Sequence, residues 1–222
     1  RILLSSAFTH KWSLQLLHVN NAFLNGVLEE YIYMSQPPGF ENSNKQLVCK
    51  LHKAIYGLKQ ASRAWFDKLK ATLLRFQFRA SNCDPSLFVY TDSKGTVIYM
   101  LVYVDDIIVT ANNTCFIQSL VTKLNSEFSL KDLGSLDYFL GIEVRPQPNG
   151  ALILTQSKYI RDLLRKTNMD GANPISSPMV GGCKLTKSGY EPFPDPTLYR
   201  SIVGALQYAT ITRPEISFLA NK

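Results

Sequence analysis

The sequence predicts an α+β fold. Candidate strands and helices are intermixed along the 222 residues. Successive strands are joined by short turn-rich stretches, which is the pattern of antiparallel hairpins. Between them, apolar residues recur at spacings of three and four, which is typical of amphipathic helices packed on a core. The length suffices for one ordinary domain or somewhat more, with a sizeable buried core.

The composition excludes several classes of protein. Hydrophobic residues make up 45% of the chain, too many for an intrinsically disordered protein. No apolar run reaches the roughly 18 uncharged residues of a transmembrane helix, so no membrane partner is predicted. The four cysteines form no CxxC pair, which argues against a structural zinc site or a disulfide framework. This cysteine usage is typical of a reducing, intracellular compartment.

The first half of the chain predicts two strands and a long helix. A strand over Leu14–Val19 precedes an Asn-rich turn and one helical turn, and a loop is predicted at 37–39. Residues 46–52 alternate apolar and polar, like a half-buried strand. Residues 60–76 predict a helix, because their apolar residues share one face. That face consists of Ala61, Trp65, Leu69, Thr72, Leu73 and Phe76.

Two acidic residues interrupt the most apolar stretch of the chain. Strands are predicted at 87–90 and 97–104, and the eight consecutive apolar residues of the second predict burial on both faces. Asp105 and Asp106 then break the run, which resumes at 107–110. We therefore predict a hairpin with two acids at its bend.

The second half continues the mixed pattern. A helix is predicted at 116–128, with Ile117, Leu120, Val121, Leu124 and Phe128 on one stripe. The other predicted elements are a hairpin of strands 138–144 and 151–154 closed through Asn149-Gly150, a helix capped by Ser157 and ending near Asn168, a Pro/Gly-rich linker at 171–196, and a last helix over Pro196–Ala209.

The positive charge is concentrated in one segment. Residues 45–79 hold nine basic residues and one acid, a net charge of +8, whereas the whole chain carries +7. At roughly 100° per residue, Lys59, Arg63 and Lys70 fall on the helix face opposite the apolar one. The pattern allows a merely solvated helix face, but the density of charge favours a polyanion partner, nucleic acid or nucleoside triphosphate.

The adjacent carboxylates Asp105 and Asp106 allow two interpretations. A hairpin bend can expose both acids to water, since Asp is a common turn residue. Alternatively, they bind a divalent cation, because carboxylate oxygens suit Mg²⁺, which commonly takes one or two of them together with substrate phosphates. Beside a basic segment, the second interpretation favours phosphoryl transfer on nucleic acid.

A series of motifs resembles the copia-type LTR-retrotransposon reverse transcriptases, which are RNA-dependent DNA polymerases. Tyr103-Val104-Asp105-Asp106 resembles their YxDD motif, and similar segments run in order through almost the whole chain. They are VNNAFLNGVLEEYIYMSQPPGF (19–40), LHKAIYGLKQASRAWFDKL (51–69), CDPSLFVY (83–90), YVDDIIVT (103–110), FLGIEV (139–144), LTQSKYIRDLL (154–164) and YRSIVGALQYATITRPEISF (199–218).

The resemblance implies a polymerase palm, an antiparallel sheet with helices on one face, together with partial fingers and the start of the thumb. It places palm at 1–27, partial fingers at 28–62, palm again at 63–145, the thumb start at 146–170, and a linker with a terminal helix at 171–222. The family's N-terminal fingers segment would precede Arg1. We therefore expect the chain to be a fragment.

The resemblance also implies the reaction and its residues. Two Mg²⁺ ions would support attack of a primer 3′-hydroxyl on the α-phosphate of a dNTP. Asp105 matches a metal-binding aspartate and Asp106 its neighbour, while Phe23, Gln60 and Tyr103 match positions at the incoming nucleotide. The hairpin that grips the primer is matched by Leu140, Gly141, Ile142 and Glu143. For Phe23 and this hairpin, ordinary core packing is the alternative.

One position departs from the family pattern. Where the family has its first metal-binding aspartate, just before VNNAFL, this sequence has His18. An imidazole nitrogen suits Zn²⁺, Cu²⁺ or Fe, whereas Mg²⁺ prefers oxygen. Losing a ligand to the metal should cost several kcal/mol of transition-state stabilisation. We therefore expect little or no polymerase activity.

Three functions follow as hypotheses. The first is a degenerate RNA-directed DNA polymerase domain, with a primed RNA or DNA template and dNTP as partners. Integrase and RNase H domains of the polyprotein would lie outside this chain, and cytoplasmic retrotransposon particles would be its location. The second is a non-catalytic nucleic-acid-binding remnant. The third, a metal-dependent phosphohydrolase of another family, would need further Asp, Glu or His ligands.

Overall fold

The computed structural model describes residues 2–148, 151–175 and 193–221. The chain divides into two compact units, Arg1–Leu136 and Asp137–Lys222. Both contain antiparallel strands together with helices, which confirms the predicted α+β class. Within the described ranges, no helix has both the length and the apolar character needed to cross a bilayer.

The first unit is built on a six-stranded antiparallel sheet in the order β4-β5-β6-β7-β1-β8. Its first strand along the chain, β1, lies between β7 and β8, so three segments distant in sequence meet there. The strands are β1 (Leu14–Val19), β4 (Arg79–Ala80), β5 (Leu87–Thr91), β6 (Val97–Tyr103), β7 (Asp106–Ala111) and β8 (Leu130–Ser135).

Two long helices, α2 (Ala61–Arg75) and α3 (Thr114–Glu127), share one hydrophobic core with the sheet. The predicted apolar stripes are the faces they bury, because only those faces carry side chains that can leave water. Trp65 and Phe128 meet edge to face with ring centroids 5.1 Å apart. At the solvent edge, Arg75 pairs with Glu127 at 2.7 Å, joining the helix ends.

A separate two-stranded sheet pairs β2 (Val27–Ser35) with β3 (Val48–Lys53). Both strands are largely exposed, and Tyr31 and Tyr33 are among the exposed aromatic residues. The hairpin begins at Gly26, where the chain passes against α2. A Cβ atom on Gly26 would lie 2.9 Å from the backbone nitrogen of Trp65. Only glycine fits without moving the helix backbone.

We expect Gly26→Ala to lower the free energy of unfolding by about 1–3 kcal/mol, the usual cost of overpacking a close contact. Urea denaturation followed by circular dichroism measures the change. Gly204→Ala is the matched control, because a Cβ there meets nothing within 4 Å. That control lies within α5 (Pro196–Ala209) and should be neutral or slightly stabilising. Equal effects of the two substitutions would contradict the close approach at Gly26.

The second unit contains a three-stranded sheet in the order β11-β10-β9, followed by helices. Gln156 is buried in this unit, and its amide oxygen accepts a hydrogen bond from the Thr212 hydroxyl at 2.8 Å. Its elements are β9 (Tyr138–Phe139), β10 (Ile142–Pro146), β11 (Leu152–Thr155), α4 (Ser157–Lys166), α5, a 3-10 turn (Pro214–Ile216) and α6 (Ser217–Ala220).

Several predicted elements need correction. The strand at 97–104 buries alternate residues only, so one face is in the core and the other is half-buried. The segment 138–144 is two strands with a turn at Leu140-Gly141 rather than one strand. Ser157 is the first residue of α4, and Gln156 takes the cap position without a side-chain cap bond. Asn149-Gly150 and the linker residues 176–192 lie outside the described residues.

Four elements of the first unit were not predicted, and one of them is the two-residue strand β4. The helix α1 (Ile2–Thr9) is apolar around most of its circumference, so it lacks a helical stripe. The strand β2 alternates only weakly, because it lies on a largely exposed hairpin. The strand β8 is mostly polar and exposed, and only its pairing with β1 defines it as a strand.

Candidate metal centre

The predicted acidic bend is a two-residue turn between β6 and β7. Tyr103 pairs with Asp106, so Val104 and Asp105 form the turn itself. Val104 has φ of +54°, a left-handed conformation that is costly for a β-branched residue. Surrounding structure must therefore hold this turn in place.

Two hydrogen bonds from different elements hold the turn. The indole nitrogen of Trp65 donates to the carbonyl oxygen of Val104 at 2.6 Å. The backbone nitrogen of Val19 donates to the carbonyl oxygen of Asp105 at 2.7 Å. The first bond ties the turn to α2 and the second ties it to β1, so the acids are presented by packed elements rather than by a free loop.

The strand register brings His18 to the same place. His18 on β1 is the direct partner of Asp106 on β7. Its Nδ1 atom lies 3.0 Å from Asp106 Oδ1 and 4.0 Å from Asp105 Oδ2. One ligand atom from each of the three residues lies within 4.8 Å of the others. Of the residues that the structure describes, this is the one group of three or more with such spacing.

The His18 imidazole and the Asp106 carboxylate form a direct hydrogen-bonded contact. When the Asp106 carboxylate is ionised it can only accept hydrogen bonds, and Nδ1 of His18 is then the donor of this contact. The side chains of His18, Asp105 and Asp106 are 33%, 46% and 32% exposed, so solvent and solutes reach all three. The cluster can therefore serve as an open ligand site.

These residues do not fit a pair of Mg²⁺ ions. Mg²⁺ prefers a nearly octahedral shell of oxygen atoms, and two ions sharing a site need bridging carboxylates. Only two of the three side chains offer carboxylate oxygens, and the third offers nitrogen. One carboxylate oxygen is already engaged by the imidazole.

The residues predicted to contact the nucleotide lie in different environments. Tyr103 is exposed at the end of β6, next to the acidic turn. Phe23 packs partly against the core, and its ring centroid is 5.9 Å from that of the exposed Tyr56. The Gln60 side chain donates to Glu30 Oε2 at 3.1 Å. It lines a groove of about 590 Å³ together with Arg63 and residues of β2 and α2.

The basic residues remain accessible to solvent. Lys59 lies in the turn before α2, Arg63 lies on its exposed face, and Lys70 is half-buried. The Arg63 guanidinium is 3.8 Å from the Asp67 carboxylate, one turn along the helix. At this exposure such an ion pair contributes little to stability, so the guanidinium is free to exchange partners.

The FLGIEV segment forms a tight hairpin in the second unit. Leu140 and Gly141 both have positive φ, +49° and +78°, which matches a type I′ turn. The Tyr208 hydroxyl donates to the Leu140 carbonyl oxygen and fixes this turn. Ile142 begins β10, and Glu143 follows it. The Lys158 backbone N–H donates to the Glu143 carboxylate and, with Arg145 and Thr155, holds the pKa of Glu143 below its usual value.

The role of one residue at this centre leaves no signal in the sequence. Trp65 was predicted as part of the apolar face of α2, which the structure confirms, but its indole N–H also supports the acidic turn. A hydrogen bond from a core side chain to a distant carbonyl has no signature in sequence spacing.

Comparison with known proteins identifies relatives over the whole chain. The profile of the family described as "Reverse transcriptase (RNA-dependent DNA polymerase)" matches residues 1–181. The Retrovirus-related Pol polyprotein from transposon RE2 of Arabidopsis thaliana is 48% identical over 223 aligned residues. The match covers 100% of this chain and 15% of that protein.

Two further plant polyproteins give similar matches. The Pol polyprotein from transposon RE1 of Arabidopsis thaliana is 48% identical, again over 100% of this chain and 15% of its own length. That from transposon TNT 1-94 of Nicotiana tabacum is 38% identical over 98% of this chain and 17% of its own length. The chain therefore spans only a small part of the length of these three polyproteins.

Proposed function

Since the chain belongs to the reverse transcriptase (RNA-dependent DNA polymerase) family and is similar over its whole length to part of copia-type Pol polyproteins, we propose that it is a polymerase domain impaired in nucleotidyl transfer. The observation that carries the proposal is His18, which stands beside Asp106 in the strand register with Nδ1 hydrogen-bonded to its carboxylate. The resemblance to the family implies a carboxylate at this position, and His18 offers a nitrogen donor instead.

The chemical reason lies in the charge of the reacting phosphate. Phosphoryl transfer depends on positioning and on cations that neutralise charge on the transferred group. The carboxylates that hold those cations must supply negative charge and oxygen atoms. His18 supplies neither, so the residues of this centre cannot assemble the family's pair of ions. We infer that polymerase activity is very low in the protein as it stands.

We propose that nucleic-acid binding is retained. The net charge of +8 in residues 45–79 supports this, since charge contacts to phosphates do not require the metal centre. The partners would be a primed RNA or DNA template and dNTP, with integrase and RNase H domains elsewhere in the polyprotein and cytoplasmic particles as the setting. Palm at 1–27 and 63–145, partial fingers at 28–62 and a thumb start at 146–170 are the domains we assign.

Neutralising the basic face should weaken binding in a salt-dependent way. We expect Lys59→Gln, Arg63→Gln and Lys70→Gln together to reduce affinity for a primer–template duplex at least about tenfold near 0.1 M salt. The slope of log K against log salt should fall by up to about three, since each phosphate contact contributes roughly 0.9. Fluorescence anisotropy across a salt series measures both quantities.

The control removes the same number of charges elsewhere. Lys94, Lys123 and Lys158 are exposed and lie outside residues 45–79. Their replacement by glutamine should leave the salt slope nearly unchanged. If both triple variants lose affinity equally, binding depends on the net charge of the protein and not on where the basic residues lie, and the assignment of the basic face is wrong.

A phosphohydrolase of another family finds no support. That reaction class would need additional Asp, Glu or His ligands around the acidic turn. Across the described parts of the chain, His18, Asp105 and Asp106 form the sole group of at least three candidate ligands. A non-catalytic binding remnant remains the second candidate, and primer extension distinguishes it from a weak polymerase.

A further inference from the structure

We propose that His18, Asp105 and Asp106 bind a single first-row transition dication of the Zn²⁺ class rather than Mg²⁺. The inference takes its site from the proposed function but does not need nucleic-acid binding or polymerase activity to hold. It starts from the misfit of the centre with Mg²⁺. The three side chains offer one imidazole and two carboxylates, and these are ligand types that zinc sites use.

The spacing of the ligand atoms supports one ion. Ligand atoms about 2.0–2.1 Å from a tetrahedral Zn²⁺ lie about 3.3 Å from one another. His18 Nδ1 and Asp106 Oδ1 are 3.0 Å apart, close to that separation. Asp105 Oδ2 is 4.0 Å from Nδ1 and would have to approach by about 0.7 Å. Its side chain is the most exposed of the three, so a rotation about its own bonds can supply this movement.

The chemistry of the donors sets the selectivity. Imidazole nitrogen suits Zn²⁺, Cu²⁺, Ni²⁺ and Fe, and affinity for divalent ions of the first row rises from Mn²⁺ to a maximum at Cu²⁺ before it falls again at Zn²⁺. Mg²⁺ gains little from nitrogen and gives up water reluctantly. When a metal takes the place of the Nδ1 proton, the neutral ring carries its proton on Nε2 instead. Three protein ligands leave a fourth position open to water or another ligand.

The site is preorganised by the sheet. His18 and Asp106 lie on paired strands in direct register, so their backbone separation is fixed. Asp105 follows Val104, whose carbonyl oxygen is held by Trp65, and its own carbonyl oxygen is held by Val19. Little conformational freedom is lost when an ion binds, which favours affinity.

The test measures metal binding directly, on the full chain without nucleic acid. Zn²⁺ is titrated calorimetrically, Co²⁺ is titrated by its ligand-field absorption, and Mg²⁺ is titrated in parallel. Exposed Cys83 and Cys115 are alkylated beforehand, because thiolates are competing soft ligands. The variants are His18→Ala and Asp106→Asn. The matched control is His52→Ala, which removes an exposed histidine on β3.

We expect one Zn²⁺ per chain, bound at least about a hundredfold more tightly than Mg²⁺. His18→Ala and Asp106→Asn should each weaken Zn²⁺ binding at least about tenfold, whereas His52→Ala should not change it. Addition of Zn²⁺ should shift the ¹⁵N resonance of His18 Nδ1. His18→Asp should raise the affinity for Mg²⁺ and so narrow the preference for Zn²⁺. This variant keeps the test informative should His18→Ala fold poorly.

Three results would overturn the proposal. One is Zn²⁺ affinity unchanged in His18→Ala, which would place the ion elsewhere. Another is equal affinity of the wild type for Mg²⁺ and Zn²⁺. The third is absence of any binding, with His18 and Asp106 remaining a hydrogen-bonded pair only. Primer–template binding in the presence of EDTA reports on the proposed function separately, so that either proposal can fail while the other stands.

Discussion

Replacing His18 by aspartate is expected to raise primer extension in Mg²⁺ by a factor on the order of a hundred or more over the wild-type chain. The substitution restores an all-oxygen donor set at a position that the strand register already places beside Asp106. Wild-type extension should be near background, because an imidazole hydrogen-bonded to a carboxylate offers neither negative charge nor an oxygen ligand. Incorporation of labelled dNTP on a primed template measures the rate.

Two controls isolate the effect of the restored carboxylate. His18→Asn matches the shape of aspartate without its charge and should remain inactive. Adding Asp105→Asn to the His18→Asp background should abolish the gained activity, since we propose Asp105 as a ligand of the metal. Robust extension by the wild type would disprove the proposed impairment. No gain in His18→Asp would show that restoring this one ligand is insufficient.

The same substitution should also make stability dependent on the ion. Three carboxylates within a few ångströms repel one another, and His18→Asp removes the imidazole that now bonds to Asp106. We expect the Tm of His18→Asp in EDTA to lie a few degrees below that of the wild type. It should recover in millimolar Mg²⁺, because an ion that binds only the folded state stabilises it. The wild-type Tm should respond little to Mg²⁺. Thermal denaturation at fixed ionic strength tests this independently of activity.

The parts of the fold that could be predicted are those whose burial is periodic. The helices α2 and α3 each pack one apolar stripe against the sheet, so the spacing of apolar residues in the sequence predicts both helices. The exposed strands β2 and β8 carry no such pattern, because pairing with distant segments and not burial defines them. The turn at Leu140-Gly141 was missed because a leucine with positive φ lacks the Asn-Gly signature of such turns.

The candidate site was predictable only in part for a similar reason. Asp105 and Asp106 stand out in the sequence itself, because two adjacent carboxylates in an apolar run lose hydration at a cost in free energy unless they gain a partner. The position of His18 beside them depends on the register between β1 and β7, which are separated by most of the first unit. Family resemblance supplied that relation, and the residues alone did not.

Trp65 is expected to contribute the largest stability effect among residues supporting the centre. Its side chain is 1% exposed, packs against Phe128 and donates its N–H to the Val104 carbonyl oxygen. Trp65→Ala should lower the free energy of unfolding by about 3–5 kcal/mol through the lost contacts and the cavity. Trp65→Phe keeps most of the packing but loses the donor, and should cost about 1–3 kcal/mol.

Comparison with the second tryptophan separates packing from the hydrogen bond. Trp12 is half-buried and stacks on Tyr99 with ring centroids 5.9 Å apart, outside the main core. Trp12→Phe should therefore cost less than about 1 kcal/mol, since a phenyl ring can also stack. Urea denaturation followed by circular dichroism gives all three values.

The two variants should also differ in metal binding. Trp65→Phe should weaken Zn²⁺ binding, whereas Trp12→Phe should leave it unchanged. Only Trp65→Phe frees the Val104 carbonyl oxygen, so that the acidic turn can relax from its left-handed conformation. Equal stability and equal metal affinity in the two variants would mean that the indole hydrogen bond does not position the turn.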